Sequence, residues 1–330
     1  NNEAEDNGGA LSHCHGTIRD NTITANSGGF GGALRKCNGN IRGNRIADNS
    51  GSGLRGCDGT IEGNTIADNF GAGLYACDGV IRGNTIAGNL RSGLSDCDDE
   101  LLNNVIVGNM GRRGGGLAEC DGAILNNTIM MNSAMYVGGG LYLCEGTISN
   151  CVIWGNSASE GNQTFLSSQP TYSCIEGGTD GGEGNLAQYP QFVDPDGPDD
   201  NPLTFEDNDY SLLPGSLCID AGQNSGSMWK ATDRDGNPRI LPGVSSWRAD
   251  MGAYGYIPAY DLGVFITAPD MGMVVAWTSQ PDGAYTVLSC ADLLSGEWTA
   301  EATIQSQKTA IVWTDPDTTS GQKFYRIERQ

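Results

Sequence analysis

The sequence predicts an all-β chain, a parallel β-helix followed by a small β-sandwich, and three observations carry this. A phrase recurs seven times between Gly8 and about Gly161, with successive leucines 23, 20, 20, 20, 23 and 24 residues apart. Its apolar pieces are too short for helices, and Gly and Asn interrupt the chain every few residues. From about residue 260 the pattern changes to longer alternating strands separated by turns. A fixed period near 20 means a solenoid. Three short strands and three turns at roughly 3.3 Å per residue use up such a repeat.

Within the phrase, Leu11, Leu34, Leu54, Leu74, Leu94, Leu117 and Leu141 form one column. Cys14, Cys37, Cys57, Cys77, Cys97, Cys120 and Cys144 follow three residues later. Two apolar columns come next: Ile18, Ile41, Ile61, Ile81, Leu101, Ile124 and Ile148, then Ile23, Ile46, Ile66, Ile86, Ile106, Ile129 and Ile153. Stacked coils turn each column into a ladder with a spacing of roughly 4.8 Å. Asparagines mark two corners. One file is Asn21, Asn44, Asn64, Asn84, Asn104 and Asn127; the other is Asn26, Asn49, Asn69, Asn89, Asn109, Asn132 and Asn156. Asn tolerates the left-handed backbone of a sharp corner and can form amide ladders between coils. Cys151 takes the first asparagine place in the seventh coil.

The ladder cysteines have two readings. They are inward thiols packed as small apolar groups, or neighbouring coils are joined by disulfides, which the rung spacing permits. Cys174 is a candidate eighth member. No CxxC pair favours a metal site.

The extra residues of the longer coils fall between the second Asn and the next Leu, around 27–32, 110–116 and 133–140. They carry Phe30, Arg112, Arg113, Met135 and Tyr136, and insertions on one side of a solenoid often form its binding side. Arg112, Arg113 and Tyr136 are therefore the candidate binding residues. The residue after each ladder cysteine runs His15, Asn38, Asp58, Asp78, Asp98, Asp121 and Glu145. These read as a solvated turn file, with cations along it as the alternative. Arg19, Arg42, Glu62 and Arg82 read as a solvated face.

Residues 162–190 suggest one or two irregular coils using Phe165, Leu166, Tyr172, Cys174 and Ile175. Asp194, Asp196, Asp199 and Asp200 then crowd into seven residues and are the candidate ligands for calcium. The phrases FVDP, DYSLLPGSLCIDAG (209–222), DRDGNPR (233–239) and DMGAYGY (250–256) resemble the closing segment of secreted right-handed parallel β-helix proteins of environmental bacteria. The resemblance covers about residues 8–256. It implies a right-handed parallel β-helix and an extracellular or cell-surface setting, but no particular activity. Trp277, Trp298, Trp313 and Phe324–Arg326 resemble the small β-sandwich modules that end many such proteins. The expected organisation is therefore 1–190, coils; 191–258, closing segment; and 259–330, sandwich, with eight to ten coils over residues 1–256. The sandwich tryptophans are expected in its core, with a sugar platform as the alternative.

The formal net charge is −22, which argues against nucleic acid. No apolar run approaches a membrane span of about 20 residues. A lyase on this fold needs a basic residue and carboxylates; a hydrolase needs two carboxylates roughly 5–9.5 Å apart. Asp58, Asp78, Asp98 and Asp121, with Arg112 or Arg113, could supply them. But active sites usually break a repeat, so no catalytic residue is assigned. The expected function is a structural protein that associates end to end through Asn1, Asn2, Glu3, Glu5 and Asp6, since residues 1–12 carry no Pro or Lys to block a strand edge. The alternative is a protein that binds or degrades acidic or neutral polysaccharide, on a pectate-lyase-like fold.

Overall fold

The computed structural model describes residues 2–4, 9–28, 32–178, 181–201, 204–224, 231–237, 239 and 248–256, and in the C-terminal part 263–266, 273–278, 283–292, 294, 297–306, 310–316 and 323–330. Asn1, Glu5, Asp6 and Phe30 lie outside the described residues. The chain divides into two compact units, Asn1–Ile240 with Arg248–Tyr256, and Leu241–Trp247 with Ile257–Gln330.

The first unit is a parallel β-helix of about seven turns. Each coil contributes one strand to each of three parallel sheets, in sequence order along the axis. The leucine sheet runs from Leu11–Ser12 to Thr164–Phe165, and the first isoleucine sheet from Ile18–Arg19 to Ile148–Ser149. The second isoleucine sheet runs from Thr22–Thr24 to Cys174–Ile175. Register follows the repeat: Leu54 pairs with Leu74, Ile61 with Ile81, and Ile66 with Ile86. Each column is thus one inward stack, and Leu34 to Leu141 and Ile41 to Ile129 are wholly buried. Burying one such side chain contributes about 1.5–3 kcal/mol.

All three corners use one device. A residue with positive φ turns the chain, and the next residue points a polar group inward. The turning files are Lys36, Gly56, Ala76 and Asp96 before the cysteines, Gly43, Gly63, Gly83 and Asn103 before the first asparagines, and Asp48, Asp68, Gly88 and Gly108 before the second. The left-handed residue is therefore one position upstream of the ladder Asn, not the ladder Asn itself. Asn64 shows what the ladder side chain does instead. Its Oδ1 accepts from the N–H and Nδ2 of Asn44 at 2.9 and 3.0 Å. Its Nδ2 donates to Ile41 O, Glu62 O and Asn84 Oδ1 at 2.9, 3.2 and 3.0 Å. The cysteines copy this chemistry: Cys37 N–H donates to Cys57 Sγ at 3.4 Å, and Cys37 Sγ donates to Arg35 O at 3.4 Å. All eleven cysteines are free thiols, and all but Cys14 are buried.

Two positions depart from the expected ladders. Ser167, not Cys174, takes the eighth cysteine place: its hydroxyl accepts from Cys144 N–H at 3.1 Å and donates to Phe165 O at 3.3 Å. Cys174 pairs with Val152 on the outer side of the second isoleucine sheet. At the first asparagine corner Ser173 follows Cys151, accepting its N–H at 3.0 Å.

The described residues of 191–240 and 248–256 add no regular coils, and the count stays near seven. They fold back along the outer face of the second isoleucine sheet. Glu206 reaches Arg45 at 2.6 Å, and Phe205 lies against Gly88 and Gly108. A second apolar cluster fills the junction, with Ala47, Ala67, Ala87, Val107 and Met130 from the sheet and Phe192, Tyr210, Leu212, Met251 and Ala253 from the segment. The last described part of the segment docks on three successive corner residues. Asn103 Nδ2 donates to Thr232 O at 2.6 Å, Arg239 donates to Asn103 Oδ1 at 2.7 Å and to Asn126 O at 3.5 Å, and Gly252 N–H donates to Asn150 O at 2.8 Å. The last of these pairs is reinforced by Ala253 N–H on Thr128 Oγ1 at 2.9 Å.

In the second unit, Gly263–Ile266, Met273–Thr278 and Ala310–Thr314 form one antiparallel sheet, and Ala284–Cys290, Thr299–Gln305 and Phe324–Arg329 another. Val275, Trp277 and Ile311 of one pack with Tyr285 and Val287 of the other, as in a small sandwich. Trp277 is core, Trp313 packs on Tyr325 at 6.0 Å, and Arg326 covers Trp298 at 4.7 Å, so the three make no common platform. Among the described residues there is no helix long and apolar enough to cross a membrane.

Candidate functional site

The coils expose three outer faces, and each has a different character. The first isoleucine sheet is solvated, with Arg82 and Glu62 paired at 3.1 Å. The second is covered by described residues of the closing segment, such as Phe205, Tyr210, Met251 and Ala253. The leucine sheet is open, and a groove of about 1460 Å³ lies on it.

The groove follows from coil length. The coils around Leu54, Leu74 and Leu94 are short and form its floor. The later insertions rise beside them as a small parallel sheet, Met110–Arg113 paired with Ser133–Val137. Gly28, in the first insertion, lines the groove as well. Floor residues are those one position after the leucine: Arg55, Tyr75, Ser95, Ala118 and Tyr142. The position after the second Asn supplies a stacked apolar edge, Phe70, Leu90 and Met110, exposed by 64, 42 and 47%. Arg112, Arg113 and Tyr136, expected from the insertions, all line the groove wall.

Charge and rings are arranged together. Arg55 lies over Tyr75 at 4.8 Å, Arg113 over Tyr142 at 5.8 Å, and Arg112 over Tyr136 at 6.0 Å. Tyr142 in turn stacks with Phe165 at 6.4 Å. A guanidinium held over a ring keeps its N–H edge available for a planar anion. Among the described residues the lining holds four arginines, Arg55, Arg91, Arg112 and Arg113, and one carboxylate, Glu119. Among the described residues, Arg91, Arg112 and Arg113 make no ion pair.

The structure does not bring the expected acidic sites together. Asp194, Asp196, Asp199 and Asp200 lie on the connection between the antiparallel strands Phe192–Asp194 and Asp209–Leu212. Asp199 spends its oxygens locally, accepting from Asn201 N–H and from the Thr204 hydroxyl at 3.0 Å. Among the described residues no group of three His, Cys, Asp or Glu could hold a metal ion. The Asp58 file lies outside the groove. Each carboxylate caps the next coil: Asp98 accepts from Asp121 N–H at 3.0 Å, and Asp121 from Glu145 N–H at 2.8 Å. These charge-assisted bonds offset the repulsion along the file.

Sequence reasoning missed Arg55, Phe70, Tyr75, Leu90, Arg91, Glu119 and Tyr142. The signal was present, since Tyr75 and Tyr142 occupy one outward column, but only the insertions were read as a binding side.

A family model described as "Right handed beta helix region" matches residues 1–94. No curated protein matches the chain. The match and the stacked coils together support a right-handed β-helix repeat protein, a fold compatible with structural or polysaccharide-related roles.

Proposed function

We propose that the chain binds an extended acidic polysaccharide along the leucine-sheet groove, and that it works outside the cell, where such polymers are found. One observation carries this reading: in a chain of net charge −22, the described residues that line the groove include four arginines, three of them over tyrosine rings, and one carboxylate. Sugar rings stack on aromatic faces, and uronate or sulfate groups fit the guanidinium fork. A long open trough suits a polymer better than a compact ligand.

The test is calorimetric titration of polygalacturonate, alginate, a sulfated glycan and a neutral glucan into the purified chain. Acidic polymers should bind, more weakly as salt is raised. The double variant R112A/R113A should lose at least about tenfold, the equivalent of ~1.4 kcal/mol. Equal affinity for the neutral glucan, or an unchanged double variant, would overturn the reading.

End-to-end association is a second reading. The strands Leu11–Ser12, Ile18–Arg19 and Thr22–Thr24 are the edge strands of their sheets among the described residues, and an edge accepts another strand. Asn2 and Glu3 are already engaged on one side. Glu3 pairs with Ser27, and Asn2 bonds Asn26 at 2.8 Å, so they stack on their own coil rather than extend freely. Light scattering at high concentration decides, and a strict monomer removes the reading.

A further inference from the structure

In the second unit a buried polar cluster joins the two sheets. Asp315 follows the strand Ala310–Thr314 of one sheet, and Lys323 precedes the strand Phe324–Arg329 of the other. Lys323 Nζ lies 2.8 Å from Asp315 Oδ2; the Asp315 side chain is wholly buried and that of Lys323 is 15% exposed. Glu301 Oε1 stands 4.0 Å from the same nitrogen. The Ser289 hydroxyl donates to that Oε1 and holds it in place. Tyr325 O–H donates to Asp315 Oδ2 at 2.5 Å. Burial and this bond push the Tyr325 phenol up, so it remains a donor. Its ring packs on Trp313, 6.0 Å away.

A buried ion pair is a weak source of stability, because desolvating both charges offsets most of their attraction. The same arrangement suits acyl transfer. The Lys323 nitrogen is a nucleophile once it loses a proton, and Asp315 Cγ is the carbon it would attack. Glu301 is the second carboxylate needed to carry protons between them. Tyr325 O–H is bonded to the oxygen that departs and draws charge onto it. The reacting groups are already in contact, which removes the entropy cost of bringing them together.

We propose that Lys323 and Asp315 are the two halves of an intramolecular isopeptide bond that staples together the two sheets of the C-terminal unit. Lys323 passes one proton to Asp315 Oδ2 along their 2.8 Å contact, leaving an amine and a carboxylic acid. The amine nitrogen attacks Asp315 Cγ. Glu301 takes a second proton from that nitrogen and delivers it to Oδ2, and the Cγ–Oδ2 bond breaks as water leaves. One ammonium and one carboxylate become one amide and one water. Glu301 ends as it began, and no oxidant or other reagent enters. The product amide is uncharged, so the cluster sheds its buried ion pair and ties the last strand to the opposite sheet by a covalent link.

The experiment is mass spectrometry of the purified full chain. The wild type should be lighter than its sequence by one water. Trypsin should fail to cut after Lys323 and should release residues 309–326 as a single peptide, also lighter by one water, whose fragments place the link between Asp315 and Lys323. A cyclic imide at Asp315 cannot mimic this, because Pro316 has no N–H to close the ring. K323R keeps a cation but offers no amine, and it should show the full mass, as should E301Q. Full mass in the wild type, with normal cleavage after Lys323, means an ordinary ion pair and overturns the proposal. Water loss that persists in K323R overturns it as well, and a link that still forms in E301Q overturns the role of Glu301. The wild-type mapping needs no variant, so a variant that fails to fold leaves the test intact.

Discussion

At the scale of single residues, the corner is the unit that explains this chain. A left-handed residue turns the backbone, and the next side chain satisfies the amides that the turn strands. Asn does this best because its amide both donates and accepts. Asn64 is 1% exposed and serves groups of Asn44, Ile41, Glu62 and Asn84 at once. Asn64→Ala is therefore expected to destabilise by ~1–3 kcal/mol or more, the cost of buried groups left unpaired. Denaturant titration measures it, and a change within a few tenths would mean that water replaces the amide. Cysteine is the weaker version of the same part, bonding through sulfur. Burial pushes the Cys97 and Cys120 thiols up, so the ladder should resist thiol reagents. In the reduced native chain only Cys14, the one thiol not fully buried, is expected to react fast with a chromogenic disulfide. Rapid reaction of several thiols before denaturant is added would contradict the inward ladder.

At the scale of elements, residues 191–256 are held by buried charge as well as by packing. Asp233, Arg239 and Asp250 are 4, 2 and 6% exposed. Asp250 accepts from Asp220 N–H and Tyr256 N–H at 2.7 and 2.6 Å. Burial outweighs these bonds and pushes its carboxyl from 3.8 up to about 6. A carboxyl raised in the folded state keeps its proton longer than the unfolded chain does. Its stabilising share is therefore fully present below about pH 3.8 and is lost as pH rises through about 6. Two units correspond to about 3 kcal/mol at most. The unfolding midpoint in denaturant should fall between pH 4 and 6.5, and D250N should flatten that slope; an equally steep slope in D250N would assign it elsewhere. The same segment explains why the second isoleucine sheet carries Ala47, Ala67 and Ala87 outward. At Gly108, with φ of 62–64° as at Gly43, a Cβ would meet the Phe205 ring at 2.1 Å. Small outward residues let the covering layer approach.

At the scale of the whole molecule, the two units hold separate cores, one in the stacked columns and their cover, the other between two antiparallel sheets. The net charge of −22 is spread over files that have structural uses, such as the Asp98–Asp121 chain of caps. The groove is the exception in sign. On the proposed reading, an acidic polymer would be admitted along this one line, an arrangement that favours specificity over raw affinity.

The repeat by itself determined the solenoid, its period, the inward columns and the ladders, because a twenty-residue coil must present the same residue to the same place at every turn. It also marked the side on which insertions rise, and with it Arg112, Arg113 and Tyr136. What it left open depends on contacts between residues far apart in sequence. Four aspartates stand close together in 194–200, and which donors their oxygens meet, as Asp199 meets Asn201 N–H and the Thr204 hydroxyl, is decided by the local fold. Cys174 looked like a rung, but the irregular eighth coil shifted the phase and gave that rung to Ser167. Residues 191–258 read as a closing segment, and only the packed structure laid their described part in 191–256 along the outer face of the second isoleucine sheet. That cover takes one face, while the leucine sheet stays open and the insertions beside it make Arg55, Tyr75 and Tyr142 a groove floor.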